Sequence, residues 1–184
     1  MIEPIVIRPG EPRDVDAVSM FLRDVWRHTY APRHGLERVE AITRRWHGRD
    51  SLLADIGDGA AVFLLAFAGD RLVGHAFLQS PGGPVAWLRR LYVDPDCQRR
   101  GLGGRFLFEL EARLGAGAET MELEVDLLGR SAIAFYRSKG FVECGRTRDC
   151  GDGESGIAAM VMRRSVSRPD GRMVAAGAGA GEEG

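Results

Sequence analysis

The segment Leu91-Tyr92-Val93-Asp94-Pro95-Asp96-Cys97-Gln98-Arg99-Arg100-Gly101-Leu102-Gly103-Gly104-Arg105-Phe106 carries the clearest chemistry in the chain. An apolar run ends at Asp94-Pro95, and glycines open a helical pattern a few residues later. The first backbone N–H groups of a helix have no intrahelical partner and point outward. The helix dipole adds partial positive charge there. Gly101 and Gly103 bring no side chain, so a phosphate can approach the backbone closely. Arg99, Arg100 and Arg105 add full positive charge. A diphosphate suits that combination. The competing reading is a helix start with glycines for tight packing and arginines for solvation. Two other phosphate loops are excluded by spacing. No Gly-Lys-Ser/Thr follows, and glycines at 101, 103 and 104 do not make a GxGxxG fingerprint.

Acid–base chemistry has a second source. Met121 to Leu127 alternates as a strand, with Leu123 and Val125 on one face and Glu122, Glu124 and Asp126 on the other. Beside a cleft such a carboxylate is a base; otherwise it is an exposed strand residue. No His/Cys/Asp/Glu constellation has metal-ligand spacing.

These residues need a scaffold. Ile5 to Arg8 reads as a strand, and Val15, Val18, Phe21, Leu22, Val25 and Trp26 recur at helical spacing over Pro12 to His28. Pro32 and Gly35 break the chain, and a second helix presents Leu36, Val39, Ile42 and Trp46 on one face. Ala61 to Ala68 and Leu72 to Gln79 flank Gly69-Asp70 as a hairpin. Val85 to Val93 is a further strand. Leu107, Leu110 and Leu114 mark the helix after the glycines, and Met121 to Leu127 the next strand. Ser131 is expected to cap a short helix that Gly140 ends. Phe141 to Cys150 and Gly156 to Arg163 close the pattern. The order β-α-α-β-β-β-α-β-α-β-β predicts an α+β fold, a mixed sheet with helices on both faces.

Composition sets the limits. The 184 residues suit one domain, 1–164, followed by a Gly/Ala-rich tail over 165–184 expected to be disordered. A net charge of −1 argues against a dedicated nucleic-acid binder. All but one of the 25 basic residues are Arg, and Lys139 is the single lysine. No apolar run reaches the ~18 residues of a membrane span, and no signal peptide is evident, so a cytoplasmic protein without membrane contacts is expected. Cys97, Cys144 and Cys150 are an odd count without metal spacing. Free thiols are preferred over a Cys144–Cys150 pair.

Two separated segments carry a family resemblance. Gln98-Arg99-Arg100-Gly101-Leu102-Gly103 resembles the Q/R-x-x-G-x-G/A signature of the GNAT superfamily of N-acetyltransferases. Ala132-Ile133-Ala134-Phe135-Tyr136-Arg137-Ser138-Lys139-Gly140-Phe141 resembles its A-I-x-x-Y-x-x-x-G-F segment. The element order agrees with the family over about residues 4 to 164.

The resemblance implies an acetyl-CoA-dependent N-acyltransferase with a largely antiparallel sheet splayed between strands 4 and 5. Leu91, Tyr92 and Val93 would pair their backbone with the pantetheine arm, and the amide of Val93 would polarise the thioester. Gln98 to Gly104, with Arg105, would hold the diphosphate. Tyr136 would be the acid that protonates the leaving thiolate, because a phenol with a pKa of ~10 keeps its proton at neutral pH.

Glu124 lies 12 residues before Tyr136. That arrangement is similar to the ribosomal-protein alanine N-acetyltransferases, where such a glutamate acts as base. Glu122 is the alternative. The first two helices would wall the acceptor site, where Trp26, His28, Tyr30 and His34 lie. Tyr30 is the candidate substrate contact there, and Trp26 the candidate core residue. Where the family often has Asn, this chain has Gly129, and Ser131 is the candidate substitute.

The acceptor would be a small-molecule amine or a protein or peptide amine, and homodimers occur in the family. The competing function is a non-catalytic acyl-CoA-binding module.

Overall fold

In a computed structural model, which describes residues 4–151 and 155–166, seven strands form one sheet in the order β1-β2-β3-β4-β5-β7-β6. Along the chain the elements are β1 (Ile5–Pro9), α1 (Val15–His34), α2 (Leu36–Trp46), α3 (Arg49–Gly57), β2 (Ala61–Ala68), β3 (Arg71–Gln79), β4 (Val85–Val93), α4 (Leu102–Glu111), β5 (Thr120–Asp126), α5 (Arg130–Ser138), β6 (Val142–Thr147) and β7 (Ala159–Ser165). Every neighbouring pair is antiparallel except β4 and β5, which run parallel. The α+β expectation holds.

The central strands are buried on both faces, which is why β2 reads as an unbroken apolar run. Successive side chains alternate between two cores. Leu64 and Ala66 pack with Phe106, Leu110, Met121 and Leu123 on the side of α4 and α5. Phe63 and Leu65 pack with Val15, Val18, Leu22 and Leu52 on the side of α1 and α3. A smaller group, Trp26, Val39, Ile42 and Ile157, closes the end near α2.

Four sequence expectations are corrected. First, Pro32 does not break α1, which runs to His34 and ends at Gly35, where φ is +84°. Arg33 and His34 both reach Asp126 on β5, and these contacts carry the last turn past the proline. Second, a third helix, α3, follows the Gly48 N-cap and buries Leu52. Third, Ser131 caps nothing: Gly129 is the N-cap of α5 and donates its own N–H to Asp126 O at 2.8 Å. Fourth, the last two strands are shorter than expected at the end facing their shared loop, Val142–Thr147 and Ala159–Ser165.

Gly140 does follow α5 with φ +83°, as its reading as a C′ residue requires. Ser165 lies in β7 and Val166 is buried, so the sheet extends just past residue 164. The proposed tail beyond them, 167–184, lies outside the described residues.

Candidate active site

The site begins where β4 and β5 part. Their pairing covers Val85↔Thr120 to Leu88↔Leu123 and then stops. At the same level β4 carries an extra residue against β3, because Leu78 faces Leu88 whereas Phe77 faces Arg90. A bulge bends its strand and raises the local twist. Here Arg89 is the added residue, and the bend turns the rest of β4 away from β5.

Beyond the bulge, Asp94 N–H donates to Val73 O at 2.9 Å. Strand alternation then directs the backbone groups of Leu91 and Val93 to the open side. Gln98 Nε2 donates to Val93 O at 3.1 Å and fixes the following loop to the strand end. Leu91 and Val93 pack their side chains toward α4 and α5, whereas Tyr92 points to the opposite face.

The glycine loop divides between its two readings. Gly101 is the N-cap of α4 with φ +82°, and a Cβ there would meet nothing within 4 Å. Arg99 also has positive φ, +60°. The first backbone N–H of the helix turned inward is that of Arg105, bonded to Gly101 O at 3.0 Å. Those of Leu102, Gly103 and Gly104 precede it and face the open loop. Gly103 serves packing instead: a Cβ would stand 2.9 Å from the Phe135 ring. Arg99 and Arg100 are exposed at the loop. Arg105 turns away from it and donates to Ile5 O at 3.0 Å. Open backbone at Gly101, two loop arginines and unpaired β4 backbone suit a diphosphate and an amide-bearing arm.

On the α1 and α2 side of the split lies a cavity of about 310 Å³. Trp26, Tyr30, Trp46, Trp87 and Tyr92 wall it, with Glu124 and Asp126 projecting from β5. The rings pack on one another. Trp26 lies 4.4 Å from Tyr30, 5.7 Å from Trp46 and 6.2 Å from Tyr92 between centroids. Burial pushes the Tyr30 phenol up to about 12. Burial, and then the neighbouring Tyr30, push Tyr92 well above the phenol range.

The three acids of the cavity differ in their partners. Asp55 pairs with Arg90. Asp126 accepts from His34 Nε2 at 2.8 Å and lies 3.3 Å from Arg33 Nε. Glu124 forms no salt bridge among the described residues, although Arg89 lines the same cavity. It accepts Gly151 N–H at 2.5 Å and touches the thiol of Cys150, which burial and then Glu124 push up to about 12. Glu122, the alternative base, is buried and bound to Arg163 at 2.6 Å. It does not line the cavity.

Tyr136 sits on the other face of the sheet, its ring 5.1 Å from Phe135 and 5.5 Å from Phe141. Burial, and then the electrostatic influence of Tyr30, raise its pKa above the phenol range. All three cysteines are free thiols, and Cys97 is buried. Among the described residues no cluster of three or more His, Cys, Asp or Glu is placed to hold a metal ion. No described helix is long and apolar enough to cross a membrane.

Sequence reasoning missed Trp46, Asp55, Trp87 and Arg90, and the side chain of Tyr92, as parts of this cavity. Trp46 reads as core by its helical phase, and only the fold brings α2, α3 and β4 together.

A parallel pair opened by a bulge, followed by an arginine-glycine turn into a helix, is the splayed arrangement that the resemblance to the N-acetyltransferases implies. Residues 21–141 match the model of the acetyltransferase (GNAT) family, and the chain belongs to that family. It is thus an acetyl-CoA-dependent N-acyltransferase. Spermidine N(1)-acetyltransferase of Thermoplasma acidophilum is 28% identical over 142 residues, 74% of this chain and 88% of that protein. The N-alpha-acetyltransferase RimI of Mycobacterium tuberculosis is 35% identical over 107 residues, 56% of this chain and 66% of that protein. The PaiA N-acetyltransferase of Thermoplasma acidophilum, solved with coenzyme A, shares the fold with a TM-score of 0.74 at 24% identity, covering 88% of this chain and 99% of that one.

Proposed function

We propose that the chain transfers acetyl from acetyl-CoA directly to the primary amine of a small cationic acceptor held in the aromatic cavity. The observation that carries this reading is Glu124. Its carboxylate forms no salt bridge among the described residues, yet it lines a cavity walled by Trp26, Tyr30, Trp46, Trp87 and Tyr92. Aromatic faces attract an ammonium group, and a carboxylate without a salt bridge beside them fixes its position. The spermidine-acetylating relative agrees with such an acceptor.

Bound acetyl-CoA supplies an activated acetyl group and a thiolate leaving group. The chain supplies the rest. Glu124 takes the proton that the ammonium must lose before it attacks. Val93 N–H points to the open side of β4 and donates to oxygen as negative charge develops there. Tyr136 keeps its phenolic proton by burial and gives it to the departing sulfur. Gln98, Arg99, Arg100 and the amides of Leu102 to Gly104 hold the diphosphate, and Tyr30 contacts the acceptor.

The test incubates the protein with acetyl-CoA and a panel of polyamines, simple alkyl amines, amino acids and N-terminal peptides, with product identified by mass. Acetylated polyamines or alkyl amines, lost in Glu124→Gln, are expected. Acetylation of peptides alone would replace the small amine with a protein N-terminus. Acetyl-CoA binding without any product would favour the non-catalytic module.

A further inference from the structure

We propose that Lys139 is a further anion-binding residue of the donor site, its ammonium closing on the diphosphate of acetyl-CoA at the first turn of α4. This rests on the reading of the 98–104 loop as the diphosphate site. Lys139 is the single lysine of the chain and the C-cap of α5. Its Nζ lies against Gly104, the third residue of α4, where a Cβ would stand 3.2 Å away. The same ammonium lies 5.9 Å from the centroid of the Phe135 ring. That ring fills the space Gly103 leaves open. Two consecutive glycines on α4 therefore seat a ring and an ammonium from α5.

Electrostatics makes this position informative. A cation at a helix N-terminus works against the macrodipole, which favours anions there. The first turn of α4 holds no acidic residue. Lys139 forms no ion pair among the described residues. Arg99 and Arg100 add two more exposed cations at the same turn. The helix dipole and three cations thus meet at a helix turn that has no acidic residue of its own. A dianionic diphosphate at the amides of Leu102 to Gly104 removes that repulsion and gives Lys139 a charge-assisted partner.

The first measurement is calorimetric binding of CoA to wild type, Lys139→Gln and Lys139→Arg. The Gln variant is expected to weaken CoA about three- to tenfold, and the Arg variant to keep most of the affinity. Turnover of S-acetylpantetheine, which has no phosphate, should be equal in wild type and Lys139→Gln. The Gln penalty should persist with 3′-dephospho-CoA. If it vanishes there, Lys139 holds the ribose phosphate instead and the diphosphate assignment is overturned. Reductive methylation with ¹³C-formaldehyde gives one side-chain signal, from Lys139. That signal should shift on adding CoA and stay put on adding pantetheine. Wild type and Lys139→Gln binding CoA equally would overturn the assignment of Lys139 alone. Wild type failing to bind CoA would overturn the donor site itself.

Discussion

The carboxylate of Glu124 accepts the backbone N–H of Gly151 at 2.5 Å, so the unpaired acid of the cavity also holds the chain segment that borders it. Gly151 has φ +75°, and a Cβ there would stand 2.8 Å from the Trp46 ring. Carboxylate, bordering segment and aromatic wall are thus one packed unit. The carboxylate that the proposal assigns to the acceptor ammonium is thus already positioned by backbone.

Glu124→Gln separates the two duties. The amide oxygen still accepts from Gly151, while the basic group is gone. We expect kcat/KM to fall by about 10²- to 10⁴-fold, the range for loss of a general base. Affinity for CoA and the melting temperature should change little, because the 98–104 loop leads into α4 whereas Glu124 lies on β5. Steady-state kinetics with calorimetric CoA titration checks this. An equal loss of CoA binding would mean that Glu124 organises the cleft and does not act as the base.

Tyr136→Phe removes the phenolic proton and little else. Burial between Phe135 and Phe141 keeps this phenol protonated throughout the working pH range. The variant should lower kcat by about 10²-fold or more. It should leave the alkaline limb of the pH profile in place, since Tyr136 does not titrate there. A limb present in wild type and absent from the variant would sink this assignment.

Much of this arrangement is legible in the sequence, and the exceptions have physical causes. The hairpin around Gly69-Asp70, the β4 run and the glycine turn into α4 are local signals, and all appear where read. The third helix is not legible, because α3 is nine residues long and its apolar positions make no sustained stripe. The end of α1 is not local either: the tertiary contacts of Arg33 and His34 with Asp126 override Pro32. Arg90 enters the cavity because the bulge at Arg89 resets the alternation of β4, an event no residue type announces. Arg105 looks like a loop cation in sequence but is turned to Ile5 by its position on the helix.

Gly101 and Gly103 should respond differently to alanine. Gly103→Ala places a methyl 2.9 Å from the Phe135 ring, an overpacking expected to cost about 1–3 kcal/mol. Trimming the ring in Gly103→Ala/Phe135→Leu should recover part of that loss, a coupling that a double-mutant cycle measures. Gly101→Ala meets no atom but must hold φ +82°, at a cost of about 1–2 kcal/mol. No change at Phe135 should rescue it, and it should weaken CoA more than its stability loss explains. Urea unfolding of wild type, Gly103→Ala, Phe135→Leu, Gly103→Ala/Phe135→Leu, Gly101→Ala and Gly101→Ala/Phe135→Leu gives the comparison.

Acid stability should be set largely by two histidines beneath the sheet and the cavity. His75 is fully buried, with Nδ1 3.1 Å from Leu64 O and its ring 4.4 Å from Phe63. His47 is buried beside Trp26 and Tyr92. Burial, and then the nearby Arg90, hold both pKa values well below the ordinary histidine range. The native state therefore keeps them neutral while the unfolded chain protonates them near pH 6.5. Below that pH the unfolded state binds more protons, so stability falls as pH falls and is fully present above it. Each histidine contributes a slope of about 1.4 kcal/mol per pH unit over the window from 6.5 down to its native pKa. Urea unfolding from pH 7.5 to 5 should show the combined slope in wild type. His75→Gln, which carries no titratable ring, should show about half of it, even though the variant starts less stable. An unchanged slope in that variant would mean that His75 is protonated in the native protein.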